Sequence, residues 1–266
     1  MNVTDEVKRI LAKQYNEVKP RDMLVREYLN ETIEIDPRKC LLDFESRPFN
    51  YKYFYGELLW YLFGDLTTKF ISKFSKFWVN LEDEYGLINS NYGNILQSSN
   101  QLKFAYDKLA NDKFTRQAFM FINGTQYQKD TKDFPCTLTI SFYIRDDKLN
   151  MKVHMRSQDI FYGLTYDIPW YSYIMQTMYM MLKPIYPNLE LGTYIHHMDN
   201  VHYYERHFDL VDKIKNENVT NYKTMEISNL IFDNTFTLSD NRLKDLYTFY
   251  NGNPLTNIVN DVNNIL

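Results

Sequence analysis

A predicted β-hairpin in the middle of the chain constrains the fold more than any other sequence feature, because a cysteine lies at one end and an arginine at the other. Apolar and polar residues alternate on both sides of the turn Arg145-Asp146-Asp147-Lys148, a pattern that indicates two antiparallel strands. The alternating apolar positions are Leu138, Ile140, Phe142 and Ile144 before the turn and Leu149, Met151, Val153 and Met155 after it. If Asp146-Asp147 form the loop, paired residue numbers sum to about 293, so Cys136 lies opposite Ser157. The hairpin therefore predicts a sulfur nucleophile beside the potential anion-binding pair Arg156-Ser157.

Composition and charge limit the class of protein. The chain has 266 residues, of which 44% are hydrophobic and 24% charged, as in ordinary globular proteins. A net charge of −4 without a long basic run argues against direct binding of nucleic acid. Two cysteines, Cys40 and Cys136, without a CxxC pair fit a reducing compartment. The sequence has no apolar run of about 18 residues, and its first residues lack the apolar core of a signal peptide. We therefore expect a cytoplasmic protein without a membrane span.

The predicted helices and strands follow one another without regular alternation, which favours an α+β fold. Apolar spacing predicts helices over residues 5–15, 51–63, about 67–81, 100–111 and 169–182. Outside the hairpin, strands are predicted over 31–36, 40–44, 116–122 and 225–238, with a strand, loop and helix start over 191–207 and a loop over 82–99. The tail from Ser239 has a modest helical pattern. We expect a main domain over residues 1–232 and a strand and helix extension over 233–266.

Several common motifs are absent from the sequence. The chain has only eight glycines, no GxGxxG, no Walker A loop and no HExxH. His196 and His197 are adjacent, so their rings cannot share one helix face, and we expect no metal site.

Cys136 and Glu57 are candidates for covalent and acid-base chemistry. Cys136 follows Pro135 at the edge of a predicted strand, where Arg156 would favour the thiolate that a nucleophile needs. Since cysteine is among the most buried residue types, filling the core is the alternative. Glu57 has Tyr53, Phe54, Trp60 and Tyr61 at helical spacing, which should raise its pKa and suit it to general acid-base catalysis. The alternative is that this face is solvated.

Other polar residues could bind a ligand. Arg156, Ser157 and Asp159 precede a helix N-terminus near Pro169, a combination that suits a phosphate but also fits an exposed strand end. Asp167 lies just before Ile168-Pro169, where Asp commonly caps a helix. His202 and Tyr204 could donate hydrogen bonds to a hydroxylated ligand or satisfy local structure.

Together these segments resemble the thymidylate synthase superfamily over roughly residues 25–215. The segments that carry this resemblance occur in the same order as in the family. They are Glu57–Asp65, Asn91-Tyr92-Gly93, Pro135-Cys136, Arg156-Ser157-Gln158-Asp159, Gly163-Leu164 and His202-Tyr203-Tyr204. The resemblance implies a mixed or antiparallel sheet packed with helices, a homodimer whose interface is that sheet, and an enzyme that transfers one-carbon groups.

Three features resemble the phage deoxycytidylate (dCMP) hydroxymethylase branch more closely: the loop Asn89–Gly93, Thr137 after the cysteine, and Asp167 where synthases have a uracil-reading Asn. A carboxylate only accepts hydrogen bonds, so it can pair with the cytosine N4 amino group, and with N3 once that nitrogen is protonated. Facing O4 of uracil, it would place acceptor against acceptor, a mismatch that costs about 1–3 kcal/mol when buried. The resemblance therefore implies dCMP as the substrate.

The resemblance also implies a mechanism and a set of site residues. Cys136 would add to C6 of the base, C5 would attack the one-carbon unit of the co-substrate 5,10-methylenetetrahydrofolate, and water ordered by Glu57 would give 5-hydroxymethyl-dCMP. Cys136, Glu57 and Asp167 are the implied catalytic residues. The implied binding residues are Arg156, Ser157 and a partner-subunit Arg116 for the phosphate, His202 and Tyr204 for the sugar, Asn91 and Tyr92 in the substrate loop, and Asp159 and Trp78 for the folate.

The chain departs from the family pattern at a few positions. Gln117 stands where a second arginine is common, and Leu81 stands where a second tryptophan is common. Arg26–Asn30 replaces an early phosphate-binding arginine loop, and the tail after about residue 232 matches no family segment. Two alternatives remain: a dUMP-using synthase or hydroxymethylase of the same fold, and a non-catalytic scaffold in a nucleotide-synthesis complex.

Overall fold

The computed structural model describes residues 1–227 and 241–266, and the described residues form an α+β fold, as predicted. Most of the strand predicted over 225–238, and the predicted domain boundary after residue 232, lie outside these residues. The helices are α1 (Val3–Leu11), α2 (Tyr51–Phe63), α3 (Tyr92–Ser98), α4 (Gln101–Asn111), α5 (Thr165–Leu182), α6 (Phe208–Asn216), α7 (Asn241–Gly252) and α8 (Ile258–Asn263). The strands are β1 (Asn16–Val18), β2 (Val25–Ile35), β3 (Phe119–Phe121), β4 (Thr137–Arg145), β5 (Lys148–Met155), β6 (Gln158–Asp159) and β7 (Glu190–Tyr204).

One mixed sheet organises the molecule, with the strand order β1-β2-β7-β5-β4-β3 and β6 paired to β7. Strand β7 is antiparallel to β2 and parallel to β5 and β6, and the remaining pairs are antiparallel. Of the strand, loop and helix start predicted over 191–207, the strand is confirmed and a 3₁₀ turn, Glu205–His207, leads into α6, but the loop was wrong, because β7 continues through Asp199 and Asn200. Met198 and Val201, which flank these two polar residues, each pair with strands on both sides, and Asn200 also pairs with Leu29 of β2.

The central hairpin is confirmed, with one change at its open end. Asp146 and Asp147 both have positive φ (50° and 56°), as a two-residue turn with the sheet's twist requires. Pairs such as Ile140 with Val153 fit the predicted register, but a β-bulge between Thr137 and Thr139 shifts it by one residue. The Arg156 N–H consequently donates to the Cys136 carbonyl at 2.9 Å, so Cys136 lies opposite Arg156, and the predicted pairing with Ser157 was wrong.

The core lies between the sheet and the helices packed on it. Helix α5 is apolar on nearly every side and almost completely buried, as expected of a helix at the centre of a domain. Helix α2 begins at the cap residue Asn50 and ends at Gly64, which has φ 60°. Helix α3 approaches α2 so closely that a Cβ at Gly93 would lie 1.7 Å from the Tyr61 carbonyl oxygen, so this contact requires glycine.

Three local predictions were wrong. The helix expected over 67–81 is two short 3₁₀ segments, Ile71–Lys73 and Lys76–Leu81, because Ser75 is extended (φ −149°) and its side chain caps the second segment. Residues 40–44 form no regular strand and make only the isolated bridge between Phe44 and Arg47. The predicted loop over 82–99 contains α3, whose cap Asn91 supplies the helix start signal.

The helical pattern of the tail is confirmed by α7, which packs on α2. The Tyr247 ring lies 4.4 Å from Phe63 and 4.5 Å from Phe70, and its hydroxyl donates to Asp65 Oδ2 at 2.6 Å. Among residues 1–227 and 241–266, no helix combines the length and the apolar character needed to cross a bilayer.

Candidate active site

A break between β5 and β6 forms the centre of the candidate site. Met155 pairs with Met198 and Gln158 with Val201, so the two strands keep one register along β7 while Arg156 and Ser157 leave the ladder. The Arg156 guanidinium turns toward the segment before β4. It donates to the Pro135 and Phe134 carbonyls at 3.1 and 2.6 Å, and Nη2 lies 3.5 Å from Cys136 Sγ. The expected proximity of the thiol and the arginine is therefore confirmed.

The Cys136 thiol is only partly exposed, and burial raises its pKa to about 11. Arg156 acts in the predicted direction and lowers this pKa, but burial outweighs it, and the carboxylates of Asp167 and Asp133 raise the pKa further. The backbone N–H of Cys136 donates to the Tyr92 hydroxyl at 3.3 Å, which fixes the start of β4 against α3. Without a ligand, the thiol is protonated near neutral pH.

Asp167 lies inside the first turn of α5 rather than at its N-cap, because a π-helical segment, Ile160–Leu164, leads directly into the helix. Its side chain is buried, and Oδ2 accepts a hydrogen bond from Gln158 Nε2 at 2.8 Å. Burial raises the Asp167 pKa to about 7, and the Gln158 bond opposes that rise. The charge of Asp167 raises the pKa of Cys136 and of Glu57, so the three groups are electrostatically coupled.

Glu57 is buried among aromatic side chains, as predicted, and burial raises its pKa to about 8. The Tyr53 hydroxyl donates to Glu57 Oε1 at 2.8 Å and receives a hydrogen bond from Trp78 Nε1 at 3.1 Å. Trp78 is thus connected to Glu57 through Tyr53. A carboxyl group with this pKa can exchange a proton near neutral pH.

Asp159 caps the π-helical segment and leaves one oxygen unused. Oδ1 accepts from the backbone N–H groups of Phe161 and Tyr162 at 2.7 and 2.6 Å. Oδ2 is buried and makes no hydrogen bond to any described residue, and burial raises the Asp159 pKa to about 6. A buried carboxylate oxygen of this kind can accept a hydrogen bond from a ligand.

His202 lies near the end of β7, where it pairs with Asp159 of β6. Its Nδ1–H donates to Asn200 Oδ1 at 2.9 Å, and the Asn200 amide donates to Glu27. Burial, assisted by Arg21, lowers the His202 pKa to about 4, so the neutral ring offers Nε2 as an acceptor. Of the two roles considered for His202, donation to a ligand or satisfaction of local structure, its Nδ1–H serves the second through the bond to Asn200. The Tyr204 ring lies 5.5 Å away, edge to face.

Arg21 was not among the residues that the sequence indicated for the site. It lies in an exposed turn before β2 with φ 51°, and its charge lowers the pKa values of Cys136, His202 and Tyr204. Arg26 begins the segment that replaces the family's early arginine loop. Its guanidinium stacks over Phe208 at 3.8 Å and pairs with a glutamate of β1. The turn sequence Pro20-Arg21-Asp22 was the only available signal.

The other predicted residues have mixed surroundings. Both polar ends of the buried Asn91 side chain are used, because Nδ2 donates to the Trp60 and Asp65 carbonyls and Oδ1 caps α3. Ser157 is half-buried next to Arg156. Arg116 lies exposed before β3, and among the contacts of the described residues none joins it to Cys136.

One cluster of described residues has metal-ligating atoms in proximity. His154, His197 and Asp199 bring their donor atoms within 4.8 Å of one another, on the opposite face of β7 from the buried His196. Asp199 Oδ1 accepts from His154 Nε2 at 2.7 Å and lies 3.3 Å from His197 Nε2, so hydrogen bonding accounts for the cluster.

Comparison with known proteins identifies relatives of this arrangement. The thymidylate synthase family model matches residues 2–254. The deoxycytidylate 5-hydroxymethyltransferase of Enterobacteria phage T6 is 32% identical over 208 residues, covering 73% of this chain and 85% of the relative. The deoxyuridylate hydroxymethyltransferase of Bacillus phage SP01 is 28% identical over 212 residues, 73% of this chain and 54% of that protein. The solved thymidylate synthase A from Bacillus subtilis shares the fold, with a TM-score of 0.66, 16% identity and coverage of 84% and 87% of the two chains.

Proposed function

Since this chain belongs to the thymidylate synthase family, we propose that it transfers the one-carbon unit of 5,10-methylenetetrahydrofolate to C5 of dCMP and adds water, giving 5-hydroxymethyl-dCMP. The observation that carries the proposal is the buried carboxyl of Asp167, which is held by Gln158 and electrostatically coupled to the Cys136 thiol. This coupling supports a single site that holds a nucleophile for C6 and a group that can recognise the N3–N4 edge of cytosine.

The chemistry begins at Cys136. The thiol loses its proton as Sγ bonds to C6, and Arg156, 3.5 Å from Sγ, stabilises the developing thiolate. The electron pair moved to C5 attacks the one-carbon unit. Water takes the C5 proton, and tetrahydrofolate leaves with the C–N bonding pair and takes up a proton at nitrogen, so that an exocyclic methylene remains on the base. Water adds to this carbon, the C6–S bond breaks, and the cysteine leaves with its electron pair and recovers a proton.

Glu57 is the proposed group for ordering that water. Its pKa of about 8 allows the carboxyl to donate and accept protons near neutral pH. Tyr53 holds Oε1 from one side, which leaves Oε2 for the water.

Cytosine and uracil present opposite patterns at this edge. Cytosine has a donor at N4 and an acceptor at N3, whereas uracil has an acceptor at O4 and a donor at N3. A carboxyl that accepts from N4–H and shares its proton with N3 therefore matches cytosine. The same carboxyl, facing O4 with an accepting oxygen, leaves a buried mismatch that costs about 1–3 kcal/mol.

The phosphate and sugar require groups near the β5–β6 break and the end of β7. Arg156 and Ser157 are the proposed phosphate ligands, and the charge of Arg21 supports a third contact from the turn before β2. The 3′-hydroxyl would donate to His202 Nε2 and accept from Tyr204. We further propose that Arg116 from a second copy completes the phosphate site in a homodimer formed through the sheet face that carries Thr32, His154 and His197.

The folate would lie against Trp78 and Asp159. The unused, buried Oδ2 of Asp159 matches the N–H donors of a pterin ring. Trp78 offers an aromatic surface that is connected through Tyr53 to Glu57, so folate and water would meet at one side of the base.

The product of the reaction tests this proposal. The protein is incubated with 5,10-methylenetetrahydrofolate and either dCMP or dUMP, and the nucleotide is identified by mass spectrometry. We expect 5-hydroxymethyl-dCMP without dihydrofolate. A methylated product accompanied by dihydrofolate would identify a synthase, because a methyl group requires hydride from the folate.

The alternative with a specific observation in its favour is dUMP hydroxymethylation, since the phage SP01 relative carries that name. Hydroxymethyl-dUMP as the product would establish this alternative. Absence of turnover with both nucleotides would favour the remaining alternative, a non-catalytic scaffold in a nucleotide-synthesis complex.

A further inference from the structure

A chain of buried hydrogen bonds continues behind Asp167. Gln158 Nε2 donates to Asp167 Oδ2 at 2.8 Å, and Gln158 Oε1 lies 3.0 Å from His196 Nε2. His196 Nδ1 lies 2.8 Å from the Tyr194 hydroxyl. Gln158, His196 and Tyr194 are 2%, 0% and 0% exposed, so water does not compete for these bonds.

Only one placement of the hydrogens along this series of bonds lets Asp167 Oδ2 accept from Gln158. If Gln158 presents its NH₂ to Asp167, its oxygen must receive the His196 Nε2–H, and Nδ1 then accepts from the Tyr194 hydroxyl. Each of these three hydrogen bonds then joins one donor to one acceptor. A proton on Oδ2 would weaken the bond from Gln158, because the hydroxyl oxygen of a carboxylic acid is a poorer acceptor than its carbonyl oxygen. A proton pointing at Gln158 would require the amide to flip, the imidazole to change tautomer and the tyrosine hydroxyl to turn. Burial lowers the pKa of His196 and keeps its ring neutral. A neutral imidazole carries only one N–H.

Close packing also restricts the position of the Gln158 amide. A Cβ at Gly163 would lie 2.5 Å from Gln158 Nε2 and 3.3 Å from Asp167 Oδ2. The lack of a side chain at residue 163 therefore makes room for this one hydrogen bond. Hydrogen bonding from β7 and packing from the π-helical segment define the same amide position.

We propose that Gln158 is a specificity-determining positioning residue, which His196 and Tyr194 orient so that Oδ2 of Asp167 stays an acceptor and the site prefers cytosine to uracil. In the proposed pairing, Oδ2 accepts from Gln158 and from cytosine N4–H, and the carboxyl proton is shared between Oδ1 and N3. Uracil would need that proton on Oδ2 to reach O4. This inference rests on the proposed function, in which Asp167 faces the base.

The titratable groups around Asp167 come from several elements. They are Glu57 and Tyr61 from α2, Tyr92 from α3, Cys136 before β4, Tyr171 from α5, and Tyr194 from β7. Of these groups, Glu57 has the pKa closest to that of Asp167. A pH profile of Asp167 is therefore measured in both the parent and the Glu57→Gln background.

The test is Gln158→Leu, compared with the parent for kcat/KM on dCMP and on dUMP. We expect the dCMP:dUMP ratio to fall about ten- to a hundredfold, because the hydrogen bond that disfavours a proton on Oδ2 is then lost. Since the Gln158 bond lowers the Asp167 pKa, its loss should move the Asp167 limb of the pH profile to higher pH. A residue that only supports the fold would change neither the ratio nor the limb.

Gln176→Leu is the matched control, because Gln176 is a buried amide on α5 that bonds backbone groups of Pro37, Met225 and Ile227. This variant should lose stability but keep the parent's ratio and pH profile. If Gln158→Leu does not fold, Tyr194→Phe removes only one hydroxyl and should lower the ratio by a smaller factor. Gly163→Ala should act in the same direction.

The outcomes separate this inference from the proposed function. A parent that does not act on dCMP contradicts the proposed function. A parent that prefers dCMP, combined with an unchanged ratio and limb in Gln158→Leu or Tyr194→Phe, overturns the inference alone.

Discussion

Cys136 and Cys40 share one side-chain chemistry but have different surroundings. Cys40 is fully buried, and burial raises its pKa to about 12. Cys136 is partly exposed, with a guanidinium 3.5 Å from its sulfur and a carboxyl nearby. Because the Cys136 pKa is also raised, to about 11, slow alkylation near neutral pH is expected whether or not this thiol is a nucleophile. Substitution distinguishes the two cysteines better than reactivity does.

Cys136→Ala should abolish turnover while preserving binding of dCMP. Removing a covalent nucleophile commonly lowers kcat by roughly 10⁴-fold or more. The rise in melting temperature caused by dCMP should persist, since the phosphate and base contacts remain. Cys40→Ala is the matched control and should keep activity while lowering the free energy of unfolding by about 1 kcal/mol. Turnover that survives in Cys136→Ala would make this residue structural.

Asp167→Asn should weaken the preference for dCMP over dUMP. The Asn side chain can donate to O4 of uracil and accept from its N3–H. The ratio of kcat/KM for dCMP to that for dUMP should therefore fall at least about tenfold. Asp133→Asn is a suitable control, because Asp133 is another buried carboxylate and accepts from the Asn89 and Ser90 backbone. It should lower stability and leave the ratio unchanged. An unaltered ratio in Asp167→Asn would remove Asp167 from base recognition.

At the scale of elements, the sequence was informative where a pattern is local. Asn50 caps the N-terminus of α2 and Gly64 ends the helix, as these residue types commonly do. The alternation of apolar residues on both sides of a polar turn located the hairpin. The bulge that turns Cys136 toward Arg156 could not be predicted, because it arises where β4 must meet both β5 and the break before β6. The continuity of β7 likewise depends on partners distant in sequence.

The hairpin turn itself can be tested through Asp146. This residue is exposed and has φ 50°, so substitution reports mainly on backbone conformation. Asp146→Val should lower the free energy of unfolding by about 1–2 kcal/mol in urea titrations, because a β-branched residue is strained in the left-handed region. Asp146→Gly should be neutral or stabilising. Equal stability of the two variants would contradict a turn with two positive φ angles.

At the scale of the whole molecule, the two faces of the sheet differ, and helices among residues 1–227 and 241–266 cover one of them. Exposed or half-exposed polar residues occupy the second face, including Thr32, His154 and His197. The sequence could indicate the covered face through hydrophobic alternation, but not what covers the other face or where Arg116 is used. Arg21 was missed for a similar reason, since only tertiary structure brings its charge near Cys136.

A shared site across a homodimer can be tested by mixing two inactive variants, Cys136→Ala and Arg116→Ala. If Arg116 acts on the site of the second copy, a hybrid dimer contains one site with both residues intact. Random mixing after unfolding and refolding should then restore about a quarter of the parent activity, because about half of the dimers are hybrids. Activity no greater than the sum of the separate variants would place Arg116 outside the partner's site.

Release of tritium from C5 of the nucleotide tests the central claim most directly, because it requires attack at C6, reaction at C5 and recognition of the base. The protein is given 5,10-methylenetetrahydrofolate with dCMP or dUMP labelled at C5. We predict folate-dependent release from dCMP that greatly exceeds release from dUMP and disappears in Cys136→Ala. Release from dUMP with none from dCMP would contradict the assignment of Asp167 to cytosine, and release that persists in Cys136→Ala would contradict the covalent mechanism.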